Sequence, residues 1–139
     1  MTGIQGVKFN HVAFRVRDLD ASIRWYGEAF GAKVAFRADR DDGAPQLVYL
    51  ELAPGQFVEL FPNGKNPIEQ PPDPIGYGHF CLTVANLDAA LAHLKTLSVE
   101  PTTSPRTGRA GQHLAFVADP DGNRIELMDI PEGSPIYRA

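Results

Sequence analysis

The sequence predicts an α+β fold made of tandem βαβββ modules, curled as mixed sheets around a shared metal-binding cleft. Three observations carry this. First, His11-Val-Ala-Phe-Arg-Val-Arg-Asp-Leu-Asp-Ala returns 68 residues later as His79-Phe-Cys-Leu-Thr-Val-Ala-Asn-Leu-Asp-Ala. Second, each copy reaches a Glu-Leu pair after nearly the same interval, Glu59 lying 48 residues past His11 and Glu126 lying 47 past His79. Third, the periodicity along each half switches from two to about 3.6 and back to two, a strand, then a helix, then several strands. One such unit leaves its sheet half open and closes no core alone, so two must pack together.

Phe9 to Val16 alternates, placing Phe9, His11, Ala13 and Arg15 on one face and Val12, Phe14 and Val16 on the other. Asp18-Leu19-Asp20 supplies an N-cap, and Leu19, Ile23, Tyr26 and Phe30 form one helical stripe ended by Gly31. Ala32 to Arg37, Gln46 to Leu52 and Phe57 to Phe61 read as strands, with Pro54-Gly55 as the turn before the last. The second half repeats this. Tyr77 to Val84 is a strand, a helix opens at Asn86 or Asp88 with Leu87, Ala90, Leu91 and Leu94 inward, and His113 to Val117 and Arg124 to Met128 are strands. Asp119-Pro-Asp-Gly-Asn123 is a hairpin turn in which Gly122 takes positive φ without steric penalty. The expected organisation is a single domain over 1–139, with a first module at 7–61, a proline-rich linker at 62–76 (prolines 62, 67, 71, 72 and 74) and a second module at 77–130.

The bulk properties exclude several classes. A net charge of −4 and a pI near 5.5 give no pull toward nucleic acid or an anionic membrane. No apolar run approaches the roughly 18 residues of a membrane span, and no signal-peptide layout opens the chain, so a cytoplasmic protein is expected. The single cysteine, Cys81, rules out an internal disulfide and a thiolate cluster.

Alternation decides which side chains can meet. If Val12, Phe14 and Val16 lie under the first helix, His11 and Arg15 face the cleft; if Val58 and Leu60 do, so does Glu59. The same parity puts His79 and Glu126 on the cleft side of the second module. A mid-strand carboxylate between apolar neighbours is costly to bury unpaired, and coordination to a cation removes that cost. A lone strand histidine is more often a hydrogen-bonded core residue than a ligand. Four such positions at matched offsets of a duplication point to a metal site, with His11, Glu59, His79 and Glu126 as ligands. Two imidazoles and two carboxylates suit Zn²⁺, Ni²⁺, Co²⁺, Mn²⁺ or Fe²⁺, as a closed structural zinc site or as an open site where one glutamate serves as base.

With Asp119-Pro-Asp-Gly-Asn-Arg-Ile-Glu-Leu127, these features resemble the vicinal oxygen chelate superfamily, and within it glyoxalase I-like lactoylglutathione lyases, over roughly residues 7 to 130. Bleomycin resistance proteins and extradiol dioxygenases belong to the same superfamily. The resemblance implies a divalent-metal lyase, with Ni²⁺, Co²⁺ or Zn²⁺ held by His11, Glu59, His79 and Glu126. It makes Glu126 the carboxylate that moves a proton between adjacent carbons of a hemithioacetal, Glu59 its near-symmetric counterpart, and Arg15 a residue that holds glutathione carboxylates. It further implies a small-molecule substrate and a homodimer. Phe61-Pro-Asn-Gly-Lys65 replaces the tryptophan-containing stretch that follows the first glutamate in many glyoxalases. The alternatives are an epimerase or ring-cleaving dioxygenase of the superfamily, a thiol transferase of the fosfomycin-resistance type, and a non-catalytic drug-binding protein. Arg106 and Arg109 are expected in a solvated loop, and His93 and His113 carry no assigned role.

Overall fold

The computed structural model of the chain describes residues 3–67 and 72–138; of the expected linker, residues 68–71 lie outside the described residues, as does residue 139 of the C-terminal tail. Two units are resolved, Met1–Asn66 and Pro67–Ala139.

The first unit runs β1 (His11–Arg15), α1 (Leu19–Phe30), β2 (Lys33–Asp39), β3 (Pro45–Ala53) and β4 (Gln56–Phe61). Its sheet has the order β1-β4-β3-β2, with β1 parallel to β4 and the other neighbours antiparallel. Asp18 starts the helix by accepting the Ala21 N–H at 2.9 Å. Gly31, at φ 70°, ends it by returning its N–H to the Gly27 carbonyl, a conformation that favours glycine. Under the helix lie Val48 and Leu50 of β3 and Val58 and Leu60 of β4, all fully buried with Tyr26. The helical stripe differs from the expected one. Leu19, Ser22, Tyr26 and Ala29 are buried, whereas Ile23 and Phe30 are only half-buried. Small side chains at 22 and 29 let the helix backbone approach the sheet, and the larger ones flank the contact. Beyond β4, Gly64 donates to the Val16 carbonyl at 2.8 Å. A Cβ there would lie 3.1 Å from the Val16 carbonyl carbon, so this close return suits glycine.

The second unit runs β5 (Phe80–Thr83), α2 (Leu87–Thr96), β6 (Arg106–Thr107), β7 (His113–Ala118) and β8 (Arg124–Asp129), with sheet order β5-β8-β7-β6. Here too the first strand is parallel to the last and the rest are antiparallel. Asn86 caps α2 through the Ala89 N–H at 2.8 Å, while Asp129 accepts the Leu87 N–H at 2.8 Å and pairs with His113 Nδ1 at 2.7 Å. His113 therefore serves the helix side of this sheet. The β7–β8 turn is organised by buried Asp119, which accepts from the Asp121 and Asn123 amides at 2.9 and 2.8 Å and from Asn123 Nδ2 at 2.8 Å. Gly122 sits at φ 85° within it. Strand β6 replaces part of the loop expected to hold Arg106 and Arg109: Arg106 and Thr107 pair with Leu114 and His113. The α+β architecture with two mixed four-stranded sheets is thus as expected. Among the described residues no helix is long and apolar enough to cross a membrane.

Candidate metal centre

In the first unit, the parallel register of β1 and β4 sets Ala13 beside Glu59 and leaves His11 one step back on the same face. Nε2 of His11 lies 3.2 Å from Oε2 of Glu59. The ring's other nitrogen, Nδ1, lies 2.7 Å from Asn10 Oδ1. Tyr49, directly across β3 from Glu59, packs edge-to-face on His11 with centroids 5.4 Å apart. Burial, then a hydrogen bond to Glu59 and its charge, hold the Tyr49 phenol above its ordinary pKa.

The second unit builds the same group. Nε2 of His79 lies 2.8 Å from Oε2 of Glu126. Phe116, directly across β7 from Glu126, packs edge-to-face on His79 at 4.9 Å. Solvent access is matched as well: both histidine side chains are 35 % exposed, and the two glutamates 10 % and 14 %. Each half thus has a histidine, an aromatic ring and a largely buried glutamate, placed by identical strand topology.

These residues fit a divalent cation. An ion with two donors about 2.1 Å away at a right angle holds them about 3 Å apart, so both pairs have the spacing of neighbouring ligands as well as of a hydrogen bond. In the first unit both nitrogens of His11 face oxygens, Asn10 on one side and Glu59 on the other. If Nδ1–H donates to Asn10, the Nε2 lone pair is left for an ion, and an outer carbonyl or carboxylate partner of this kind orients metal-binding imidazoles in general. Among the described residues no group of three or more His, Cys, Asp or Glu side chains stands close enough to hold an ion; what comes together within each unit is a pair.

The other expected residues are placed as follows. Arg15 is exposed, donates from Nη1 to the Pro62 carbonyl at 2.7 Å, and lies 5.7 Å from the Phe61 ring centre. Burial of the thiol, then the charge of Glu126, pushes Cys81 up to about 12. The residue as a whole is exposed, but its sulfur turns back toward the Leu82 carbonyl at 3.9 Å. A thiol held protonated in this way is a poor nucleophile. Tyr49 and Phe116 are not singled out from sequence, although each stands ten residues ahead of its glutamate, a second repeat offset that would have found them. Asn10 and Arg124 carry no such signal.

A two-unit βαβββ architecture with a His–Glu pair in each half defines a class of protein, and comparison with known proteins identifies it. The chain belongs to the Glyoxalase/Bleomycin resistance protein/Dioxygenase superfamily, whose family model matches residues 8–127. It is 30% identical over 155 residues to a lactoylglutathione lyase of Schizosaccharomyces pombe, across 96% of this chain and 51% of that protein, so it spans about half of that relative's length. It is 28% identical to a 2-epi-5-epi-valiolone epimerase of Actinomyces sp, covering 96% of this chain and 85% of the epimerase. Among solved structures, the trypanothione-dependent glyoxalase I of Leishmania major superposes with a TM-score of 0.69 at 30% identity, covering 89% of this chain and 87% of that one.

Proposed function

We propose that the protein is a divalent-metal-dependent, glyoxalase I-like lyase. It would convert the hemithioacetal of a 2-oxoaldehyde and a thiol such as glutathione into the 2-hydroxyacyl thioester. The observation that carries this reading is the pair of matched His–Glu groups, His11–Glu59 and His79–Glu126, supported by relatives named lactoylglutathione lyase. His11, Glu59, His79 and Glu126 hold the ion, with Ni²⁺, Co²⁺ and Zn²⁺ the best match to the donors. When bound, such an ion supplies Lewis-acid polarisation of two neighbouring substrate oxygens, which acidifies the C–H between them.

Glu126 takes that proton on its carboxylate and returns it to the adjacent carbon, so one base serves both transfers. Glu59 is engaged by the Tyr49 phenol as well as by His11, which suits it to stay in place as a ligand. Their flanking residues, Val58 and Leu60 around Glu59 and Ile125 and Leu127 around Glu126, are fully buried and keep water from the strand side of both carboxylates. Arg15 offers a cation toward the carboxylates of the thiol. A homodimer belongs to the same reading.

The test is metal quantification on protein purified without chelators, followed by assay of the methylglyoxal–glutathione hemithioacetal across Ni²⁺, Co²⁺, Zn²⁺ and Mn²⁺. A protein that carries a stoichiometric ion yet moves no proton next to a carbonyl in this assay or with acyl-CoA thioesters would sink it. Mixing inactive His11→Ala and His79→Ala proteins extends the test. Regained turnover means that each ion is held by pairs from two copies, because one of the two mixed sites is then intact.

A further inference from the structure

Strand β8 carries a charge that proton transfer does not use. Arg124 stands two residues before Glu126, on the same face of the sheet. Its guanidinium carbon lies 4.5 Å from the centre of the Phe116 ring, and that ring is the one standing edge-on to His79. Arg124, Phe116, His79 and Glu126 therefore form one continuous group inside the second unit. The stack restrains a side chain that would otherwise sweep through solvent.

The guanidinium is exposed, and among the described residues no carboxylate lies within ion-pair distance of it. Glu126, the nearest acid along the strand, is occupied by His79 at 2.8 Å. Nor does the duplication demand a cation here. The equivalent residue of the first unit is Phe57, which packs on Tyr49 with centroids 5.9 Å apart. The two halves have the same reacting pair, but at the position two residues before the glutamate the first has an uncharged ring and the second a restrained positive charge. A planar fork of N–H donors in that position matches a carboxylate or a phosphate.

We propose that Arg124 binds an anionic group of the substrate, a carboxylate or phosphate lying about 7 Å, one two-residue strand repeat, from the oxygens held at His79 and Glu126. The substrate class that follows is a small α-oxo or α-hydroxy carbonyl compound with its own negative charge a few bonds from the reacting end. The identity of that reacting end rests on the lyase reading above; the recognition of charge by Arg124 does not.

The experiment is calorimetric titration of the full chain, loaded with Ni²⁺, with 2-oxoglutarate and with its 5-methyl ester. The two share the chelating end and differ in the distal charge. The diacid should bind about tenfold more tightly than the ester, the size of one charge-assisted hydrogen bond. Arg124→Gln should erase most of that ratio, and Arg124→Lys should keep part of it. Raising salt from about 20 to about 500 mM should shrink it in the wild type and leave the small ratio of Arg124→Gln unchanged. Thermal melts of both variants separate loss of binding from loss of fold.

Equal affinity for diacid and ester in the wild type overturns the proposal, as does a ratio unchanged in a folded Arg124→Gln, or no diacid binding at 10 mM. If the chain takes up no metal, the lyase reading fails by itself. The diacid-to-ester ratio on the metal-free protein then decides the role of Arg124 by the same criteria.

Discussion

The two halves place a histidine, an aromatic ring and a glutamate in the same arrangement, and they differ in what touches the glutamate. Glu59 is held by His11 and by the phenol of Tyr49. Glu126 has His79 and, in place of the phenol, the bare ring of Phe116, with Arg124 stacked on it. Duplication thus preserved the geometry while the surroundings drifted, and the drift is what can divide labour between two equivalent carboxylates. A carboxylate with an additional donor is better fixed and less available to take a proton. On the lyase reading proposed above, this difference suits Glu126 to the proton transfer and Glu59 to staying in place as a ligand.

The largest effect that tests this is a pair of substitutions. Glu126→Gln should lower kcat on the hemithioacetal by about 10²- to 10⁴-fold, the usual worth of a positioned general base. Glu59→Gln should weaken retention of the ion more than Glu126→Gln does, as read by metal content after dialysis. Equal losses of turnover and of metal in both variants would break the proposed inequivalence. Tyr49→Phe sharpens the same point, because it gives the first half the aromatic residue of the second. We expect a fold unchanged by circular dichroism, with affinity for the ion reduced by about 10- to 100-fold, in line with the loss of one outer hydrogen-bond partner.

The turns that deliver each glutamate offer a second contrast. The β7–β8 turn depends on buried Asp119 and its three side-chain hydrogen bonds. The β3–β4 turn relies on Pro54-Gly55, helped by exposed Gly55 donating to Glu51 Oε1 at 3.1 Å. Asp119→Ala should therefore destabilise by about 1–3 kcal/mol, through amides left without their acceptor. Glu51→Ala should cost about 0.5 kcal/mol, the low end for one hydrogen bond, because the exposed Gly55 amide can turn to water instead. Urea midpoints measure both, and comparable shifts would refute the contrast.

Cys81 gives a smaller, kinetic effect. Because burial and Glu126 raise its pKa to about 12, the thiol stays protonated in the folded protein at pH 8. Alkylation by iodoacetamide should run more than about tenfold slower than in urea-unfolded chain, and should speed up about tenfold per pH unit until the pH nears the raised value. Folded and unfolded rates that coincide would contradict the shift.

Much of this was legible in the chain because it depends on period and repetition. Alternation at Val12, Phe14 and Val16, and at Val58 and Leu60, decided the faces of β1 and β4, and His79 and Glu126 were found by matching offsets. What was missed depends on other physics. Strand β6 is two polar residues whose pairing with β7 comes from backbone hydrogen bonds, which leave no hydrophobic pattern. Tyr49 and Phe116 read as ordinary strand core until a histidine edge is set against each ring. Arg124 gains meaning only from the ring beneath it. In α1 the hydrophobic period selected Ile23 and Phe30, whereas close approach to the sheet selected Ser22 and Ala29 by size.

That last contrast yields the smallest expected effect. Ser22 is 1% exposed, and its hydroxyl has no hydrogen-bond partner among the described residues. The repeat offset of 68 that relates Leu19 to Leu87 and Tyr26 to Leu94 relates Ser22 to Ala90, so the second helix already has alanine at this position. An unpaired buried hydroxyl carries a desolvation penalty, and serine is also the poorer helix former. Ser22→Ala should therefore raise the stability of the chain by about 0.5–1 kcal/mol, an increase in urea midpoint with no change in its slope. Ala90→Ser at the half-buried counterpart should cost less than that gain, since water can still reach the hydroxyl. A destabilised Ser22→Ala would mean that the serine has a partner in solution, and that the two helices meet their sheets by different means.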